Sequence, residues 1–142
     1  MTTAPSAIDL DSLRHILATV VAPWVAELEL GLDEARRGEV VLTLPVAPKH
    51  VHGGGVLCGQ SMMAAADTAM ILAVCTQLGG FKPMTTVQLQ TSFLRPIAGD
   101  AGAARVVARV LRMGRKLVFG EVHIRDAGGE LAAHATTTYA LV

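Results

Sequence analysis

The chain has 142 residues, about half of them hydrophobic, and equal numbers of acidic and basic side chains. This length predicts one domain, residues 1–142, with a substantial core. The zero net charge offers no basic surface for a nucleic acid and no attraction to an anionic membrane, so we predict neither partner. The N-terminal stretch has acids where a signal peptide needs bases, and the two cysteines form no disulfide framework, which favours the cytoplasm.

Two patterns near the N-terminus predict a helix followed by a hairpin. Apolar residues recur at helical spacing from Ile8 to about Val21, with acids in the first turn, so residues 1–21 are predicted to form an N-terminal helical segment. The stretches 24–32 and 39–44 each alternate between apolar and polar side chains, and the turn-forming sequence DEARRG separates them. Alternation on both sides of a turn predicts a β-hairpin.

The middle of the chain predicts one long apolar helix. After the glycine-rich sequence HVHGGGVLCGQ, an apolar run continues to Leu78 and stops at Gly79-Gly80. Asp67 is the one charged residue in this run. The run is slightly short for a membrane span and carries an acid near its middle, so we predict a buried core helix.

The rest of the chain has the character of strands. Turn sequences separate four segments rich in Thr, Val and alternating polar side chains, at residues 85–94, 103–111, 117–125 and 131–141. Together with the hairpin, they predict an α+β fold in which an antiparallel sheet of about six strands surrounds a long central helix. Because one sheet cannot cover such a helix on every side, we expect a second subunit to bury the remainder.

Asp67 is the first candidate for a functional residue. A buried carboxylate is costly to ionise unless it is paired or hydrogen-bonded, and no arginine or lysine lies within two helical turns of it. Such an acid can act as a general base on water, or as a nucleophile that forms a transient anhydride. It can equally be a structural residue that bonds to Thr68 or to a threonine on a strand.

The start of the same helix is a second candidate. A helix that begins near Cys58 or Gly59 points free N–H groups out of its first turn, and its dipole favours negative charge there. The Gly59 N–H could therefore polarise a carbonyl group, although a plain loop and helix cap would use the same glycines. Asp67 is eight residues further on, about 12 Å along the helix axis. One carbonyl cannot reach both groups, so a site that uses both must take them from two chains.

Several motifs together resemble one protein family. They are ADTA at 66–69, FLRP at 93–96, GRKLVFGEV at 114–122 and GGELAAHATTTY at 128–139. Their order and spacing resemble those of hotdog-fold thioesterases, in particular the PaaI-like branch of phenylacetic acid degradation, over residues from about 22 to the end. The resemblance implies a hotdog fold and an acyl-CoA thioesterase that acts on an acyl- or aryl-acyl-CoA without a cofactor. It also implies a homodimer with active sites at the subunit interface, assembled as a dimer of dimers.

The resemblance also assigns roles to individual residues. Asp67 corresponds to the family's acid, and Gly59 to its oxyanion donor. Thr86 stands where the family keeps a Ser or Thr that helps to hold the attacking water, although it can also be an ordinary strand threonine. Cys58 and His52 stand where the family's loop has His and Asn, respectively. His52 can contact the substrate carbonyl or a water molecule, or it can have no role.

Further residues are predicted to bind the substrate. Cys58 and Gln60 stand at the start of the apolar helix, beside the predicted oxyanion donor. Arg112, Arg115 and Lys116 form a basic turn that can hold the phosphates of coenzyme A, or that can simply be solvated. No metal is predicted in this site.

Four alternatives remain open at this point. His50, His52 and Cys58 could ligate a metal ion, although no fourth ligand has a suitable spacing. Cys58 could be a nucleophile activated by His52. A hotdog-fold enoyl-CoA hydratase would use a histidine and an acid, and a non-catalytic acyl-CoA-binding protein would use the fold without chemistry.

Overall fold

One sheet and one long helix dominate the computed structural model, which describes residues 4–142. The helices along this range are α1 (Leu10–Val20), α2 (Pro23–Ala26) and α3 (Gly59–Leu78), with a 3₁₀ turn at Pro48–His50. The strands are β1 (Gly31–Arg36), β2 (Glu39–Pro45), β3 (Met84–Phe93), β4 (Ala103–Met113), β5 (Leu117–Arg125) and β6 (Leu131–Leu141). Helix α3 contacts all six strands, so the sheet wraps around it. The predicted α+β hotdog fold is confirmed; residues 1–3 of the predicted N-terminal segment lie outside the described range.

The sheet is antiparallel throughout and has the strand order β1-β2-β4-β5-β6-β3. Strand β3 does not pair with β4, which follows it in the chain, but lies at the far edge beside β6. Its other edge has no strand partner within the described residues. An edge strand of ten residues leaves a row of backbone groups open to another chain.

Helix α3 is the core helix of the fold. By length and composition it could cross a membrane, but most of its residues are buried inside the protein. Its C-terminal end is closed by Gly79, which adopts the left-handed conformation (φ 80°) and donates its N–H to the Cys75 backbone oxygen at 2.9 Å. Adopting positive φ without a steric cost is the usual role of glycine at a helix end.

The single chain covers more of α3 than we expected from the sequence. The N-terminal segment lies against the helix, because the Ala7 N–H donates to the Thr76 oxygen at 2.7 Å and α1 packs on α3. The half-exposed residues of α3 include a stripe along the helix at Met63, Ala64, Asp67, Ile71 and Leu78. Because these residues recur at helical spacing, they form one face, and Asp67 lies in its middle.

The predicted hairpin is correct in its second strand and wrong in its first. Residues 24–32 were predicted to be the first strand, but β1 covers Gly31–Arg36, and Pro23–Ala26 is a short helix. Pro23 at the first helical position favours that helix, and Glu29 then turns the chain with a positive φ of 56°. The connection to β2 is a tight turn at Arg37 and Gly38, shorter than the predicted turn DEARRG.

Strand β5 shows how closely the helix approaches the sheet. Its alternate residues Val118, Gly120, Val122 and Ile124 are buried on the α3 side, as period-two alternation requires. A Cβ atom on Gly120 would lie 2.3 Å from the Met70 Cε and 2.9 Å from the Arg109 oxygen. Glycine at this position therefore lets α3 pack directly on the strand.

Candidate active site

Asp67 lies near the middle of α3, on its half-exposed face. The Thr86 hydroxyl on β3 donates to Asp67 Oδ1 at 2.8 Å, and the Tyr139 hydroxyl on β6 donates to the same oxygen. Within residues 4–142, no cation pairs with this carboxylate and Oδ2 has no partner. Two hydroxyl groups therefore fix one carboxylate oxygen and leave the other free for a water molecule or a substrate.

Tyr139 belongs to this site, but the sequence reasoning did not select it. Its side chain is only 1% exposed, and its hydroxyl also lies 2.7 Å from the backbone oxygen of Asp67. Burial, with the neighbouring Asp67 charge, raises the pKa of the Tyr139 phenol well above its ordinary value, so the group stays protonated and donates. The chain has a single tyrosine, at an inward position of an alternating strand. A buried tyrosine hydroxyl needs a partner, and this requirement is the signal that would have identified it.

Gly59 lies at the N-terminal end of α3, about 12 Å along the helix from Asp67. It lines a mainly apolar cavity of about 370 Å³ between the helix start and the end of β3; the other lining residues are His52, Val56, Leu57, Met62, Phe93, Leu94, Arg95 and Pro96. A Cβ atom on Gly59 would lie 3.1 Å from Phe93 Cζ, so glycine allows the ring to approach the helix start. The Gly59 N–H belongs to the first helical turn, whose N–H groups have no acceptor within the helix.

The loop before α3 is held by its own hydrogen bonds. His52 is exposed, and its Nδ1 accepts a hydrogen bond from the Gly54 N–H at 2.8 Å. Cys58 is the N-cap residue of α3, and its Sγ lies 3.1 Å from Ser61 Oγ. The His52 ring and the Cys58 thiol are therefore engaged with different neighbours, and the described residues show no pairing between them of the kind that a Cys–His nucleophile needs.

The proposed metal ligands of this loop do not converge either. His50 Nε2 lies 3.2 Å from the Glu27 backbone oxygen, away from His52 and Cys58. Along residues 4–142, the one group of three or more His, Cys, Asp or Glu side chains close enough to share an ion lies elsewhere, at Glu121, His123 and His134. Among the described residues, His50, His52 and Cys58 do not form such a group. Gln60, predicted to bind substrate, is exposed at the helix start beside Gly59.

The basic turn lies at the same end of the sheet as Asp67. Arg112, Arg115 and Lys116 are exposed at the β4–β5 connection, and none of their side chains has a partner within residues 4–142. Strand pairing puts Val118, Tyr139 and Thr86 in one row across β5, β6 and β3. Adjacent strands are about 4.8 Å apart, so the turn lies on the order of 10 Å from the Asp67 end of β3.

These positions form two half-sites within one chain. One contains Asp67, Thr86, Tyr139 and, nearby, the basic turn; the other contains Gly59 and the apolar cavity. A carboxylate with one free oxygen can activate water or attack a carbonyl carbon, and a free helical N–H can stabilise a developing oxyanion. Neither half-site supplies both functions.

Comparison with known proteins identifies the class. A model of the thioesterase superfamily matches residues 49–133. TV1331 of Thermoplasma volcanium, whose name classes it as an esterase, is 31% identical over 106 residues, which cover 75% of this chain and 77% of that protein. The chain belongs to the thioesterase superfamily and is a hotdog-fold thioester hydrolase.

Solved structures confirm the fold. The PaaI protein from the phenylacetic acid degradation operon of Escherichia coli superposes with a TM-score of 0.80 at 19% identity, covering 93% of this chain and 91% of its own. The structure of a thioesterase of Streptococcus pneumoniae with coenzyme A gives a TM-score of 0.76 at 20% identity, covering 83% of this chain and 90% of that chain. The predicted likeness to hotdog thioesterases, PaaI among them, is confirmed at the level of the fold.

Proposed function

We propose that this protein hydrolyses the thioester bond of an acyl-CoA or aryl-acyl-CoA, releasing the free acid and coenzyme A. The observation that carries the proposal is the Asp67 carboxylate, with Oδ1 fixed by Thr86 and Tyr139 and Oδ2 free. Such a carboxylate can act as a base or a nucleophile at a thioester carbonyl carbon, and Asp67 is the one charged residue of α3.

In the proposed reaction, Asp67 acts on the carbonyl carbon of the thioester. As a general base, its free oxygen accepts a proton from water while the water oxygen attacks that carbon. As a nucleophile, the same oxygen attacks the carbon and forms an anhydride, which water then hydrolyses. Both routes place negative charge on the carbonyl oxygen, where the Gly59 N–H donates, and both release the coenzyme A thiolate, which takes up a proton.

The complete site is proposed to form between two copies of the chain. Strand β3 carries Thr86 near one end and Phe93, which covers Gly59, at the other. If two β3 edges pair antiparallel, each Asp67 comes beside the Gly59 of the partner subunit. Exposed apolar side chains on β3 and just after it, Val87, Phe93 and Leu94, support this edge as the contact. The assembly of two such dimers into a tetramer stays a prediction. A cytoplasmic location also stays a prediction, and the two free cysteines support it.

The coenzyme A part of the substrate is proposed to lie along the basic turn. Arg112, Arg115 and Lys116 are exposed cations without partners in the described chain, and phosphates are the groups that such cations bind. The coenzyme A found with the Streptococcus pneumoniae thioesterase supports this class of substrate. The apolar cavity beside Gly59 is proposed to receive the acyl group, with His52, Cys58 and Gln60 at its entrance.

A thiol-release assay tests this function directly. We expect thiol release from at least one of a panel of aromatic and short- to long-chain acyl-CoA esters. Asp67→Asn should lower kcat at least about 100-fold and leave the protein folded, whereas the exposed control Asp100→Asn should not change it. Loss of enoyl absorbance without thiol release would instead establish a hydratase, and tight acyl-CoA binding without any turnover would establish a binding protein.

A further inference from the structure

A second cluster of polar side chains lies on the opposite face of the sheet from α3. Gly120 and Val122 of β5 face the helix. Because successive side chains of a strand point to opposite faces, Glu121 and His123 face outward. His134 of β6 is directly opposite His123 in the strand pairing. All three side chains are half-buried, and none belongs to the proposed thioesterase site.

The donor atoms of this cluster converge on one point. His134 Nε2 lies 3.0 Å from Glu121 Oε1, and His123 Nε2 lies 3.7 Å from the same oxygen. All three donor atoms lie within 4.8 Å of one another. Ligand atoms about 2.1 Å from a tetrahedral Zn²⁺ would be about 3.4 Å from each other, so small side-chain rotations would suffice to coordinate an ion.

The neighbouring charges leave room for a cation. Arg109 is opposite Glu121 in the strand pairing, but its guanidinium bonds twice to Glu39, with both contacts at 2.9 Å. Arg125, two residues beyond His123, donates to the Gly129 oxygen at 3.2 Å. Both guanidinium groups therefore bond to other acceptors, and the side-chain partners of Glu121 within residues 4–142 are the two histidines, although the arginine charges still act on Glu121 and His123.

We propose that Glu121, His123 and His134 form a binding site for a divalent transition metal ion, with Zn²⁺ as the ion that fits best. Two imidazole nitrogens and one carboxylate oxygen suit Zn²⁺, whereas Ca²⁺ and Mg²⁺ prefer sites built from oxygen alone. Three protein ligands leave the fourth position to water. The bound ion would join β5 to β6 across the sheet face that the active site does not use.

Titration of the untagged, chelator-treated protein with Zn²⁺ tests this site. Calorimetry should show saturable binding of one ion per chain, and Co²⁺ should give the visible absorption of a site with nitrogen and oxygen ligands. Zn²⁺ should also raise the Tm, since an ion that binds only the folded state stabilises it. Equal concentrations of Mg²⁺ should produce neither binding nor a Tm shift.

Variants decide whether the named residues are the ligands. His123→Ala and His134→Ala should each weaken Zn²⁺ binding by at least about 10-fold, while the exposed control His15→Ala should bind like the unchanged protein. The Tm without metal and the thioesterase activity show that each variant is folded. The proposal is overturned if the intact protein takes up no Zn²⁺ saturably, or if both variants keep its affinity; the cluster is then only a group of neighbouring polar side chains.

Discussion

At the scale of single residues, the proposed catalysis depends on how the Asp67 carboxylate is held. Thr86 and Tyr139 both donate to Oδ1, so the orientation of the carboxylate is set from two strands. A threonine on a strand was also the partner expected for a purely structural aspartate. The hydrogen bond alone therefore does not separate the two roles; the free Oδ2 on the half-exposed face favours catalysis.

The first prediction concerns Tyr139, which we consider a positioning residue. Tyr139→Phe keeps the ring and removes one of the two donors that hold Oδ1. A carboxylate that is misplaced by about 1 Å can lose about 100-fold in rate, so kcat should fall by up to that factor while KM changes little. Steady-state kinetics with the preferred acyl-CoA ester measures both constants.

A matched control separates catalysis from stability. Thr137 lies two residues away on the same strand, and its buried hydroxyl donates to the Gln88 oxygen. Tyr139→Phe and Thr137→Val should each lower the free energy of unfolding by about 1 kcal/mol, since each removes a buried hydrogen bond. Only Tyr139→Phe should lower kcat. If the kcat of Tyr139→Phe equals that of the unsubstituted protein, the tyrosine is structural only.

At the scale of elements, the packing of α3 on the sheet leads to the second prediction. Gly120→Ala would place a Cβ atom 2.3 Å from the Met70 Cε and 2.9 Å from the backbone oxygen of Arg109 on β4, so the Met70 side chain must change its rotamer and the strand backbone must shift. Overpacking of this kind costs about 1–3 kcal/mol of unfolding free energy. Gly80→Ala is the control, because nothing lies within 4 Å of its new Cβ atom. Equal urea midpoints for the two variants would contradict this close contact.

The third prediction concerns the basic turn as an element. Changing Arg112, Arg115 and Lys116 together to Gln should raise KM for acyl-CoA about 10-fold or more, because charge-assisted bonds to phosphate are lost. KM for the matching acyl-pantetheine ester, which lacks the nucleotide phosphates, should not change. Raised salt should imitate the variant, and Arg105→Gln, on the outer face of the sheet, should have no effect. Equal increases for both esters would place the turn away from the substrate.

Most elements could be predicted from the sequence because their patterns are local. The apolar run of α3, its closing glycine and the alternation of β2 and β5 each determine structure within a few residues. The strand predicted at residues 24–32 was wrong, because Pro23 favours the first turn of a helix and a short helix formed there in spite of the alternation. The Tyr139 contact joins residues 72 positions apart, and no local pattern contains it.

At the scale of the whole molecule, the strand order determines which surface another copy can meet. Short turns join most strands to their neighbours, and a local pattern would place β3 beside β4. The segment after Phe93 instead crosses over, and β3 becomes an open edge beside the half-exposed stripe of α3. Asp67 and Gly59 both border this open side, about 12 Å apart along one helix. A single chain therefore cannot bring Asp67 and Gly59 to one substrate carbonyl, whereas a second copy paired at the open β3 edge can.

The fourth prediction concerns this shared site and uses two inactive variants. Asp67→Asn removes the carboxylate, and Gly59→Pro removes the N–H while remaining compatible with a first helical turn. Gly59→Ala is the control, since it adds the same Cβ atom against Phe93 but keeps the N–H, and it should retain more activity than Gly59→Pro. Size-exclusion chromatography of each variant should show the same assembly as the unchanged protein.

Mixing these two variants after dissociation and reassociation tests whether each active site is shared between two subunits. If each site takes Gly59 from one chain and Asp67 from the other, a mixed dimer has one intact site and one doubly damaged site. Random mixing makes half the dimers mixed, so about a quarter of the unchanged activity should return, provided that the sites act independently. A mixture that stays as inactive as its parents, with subunit exchange confirmed by mass-labelled chains, would contradict a site shared between subunits.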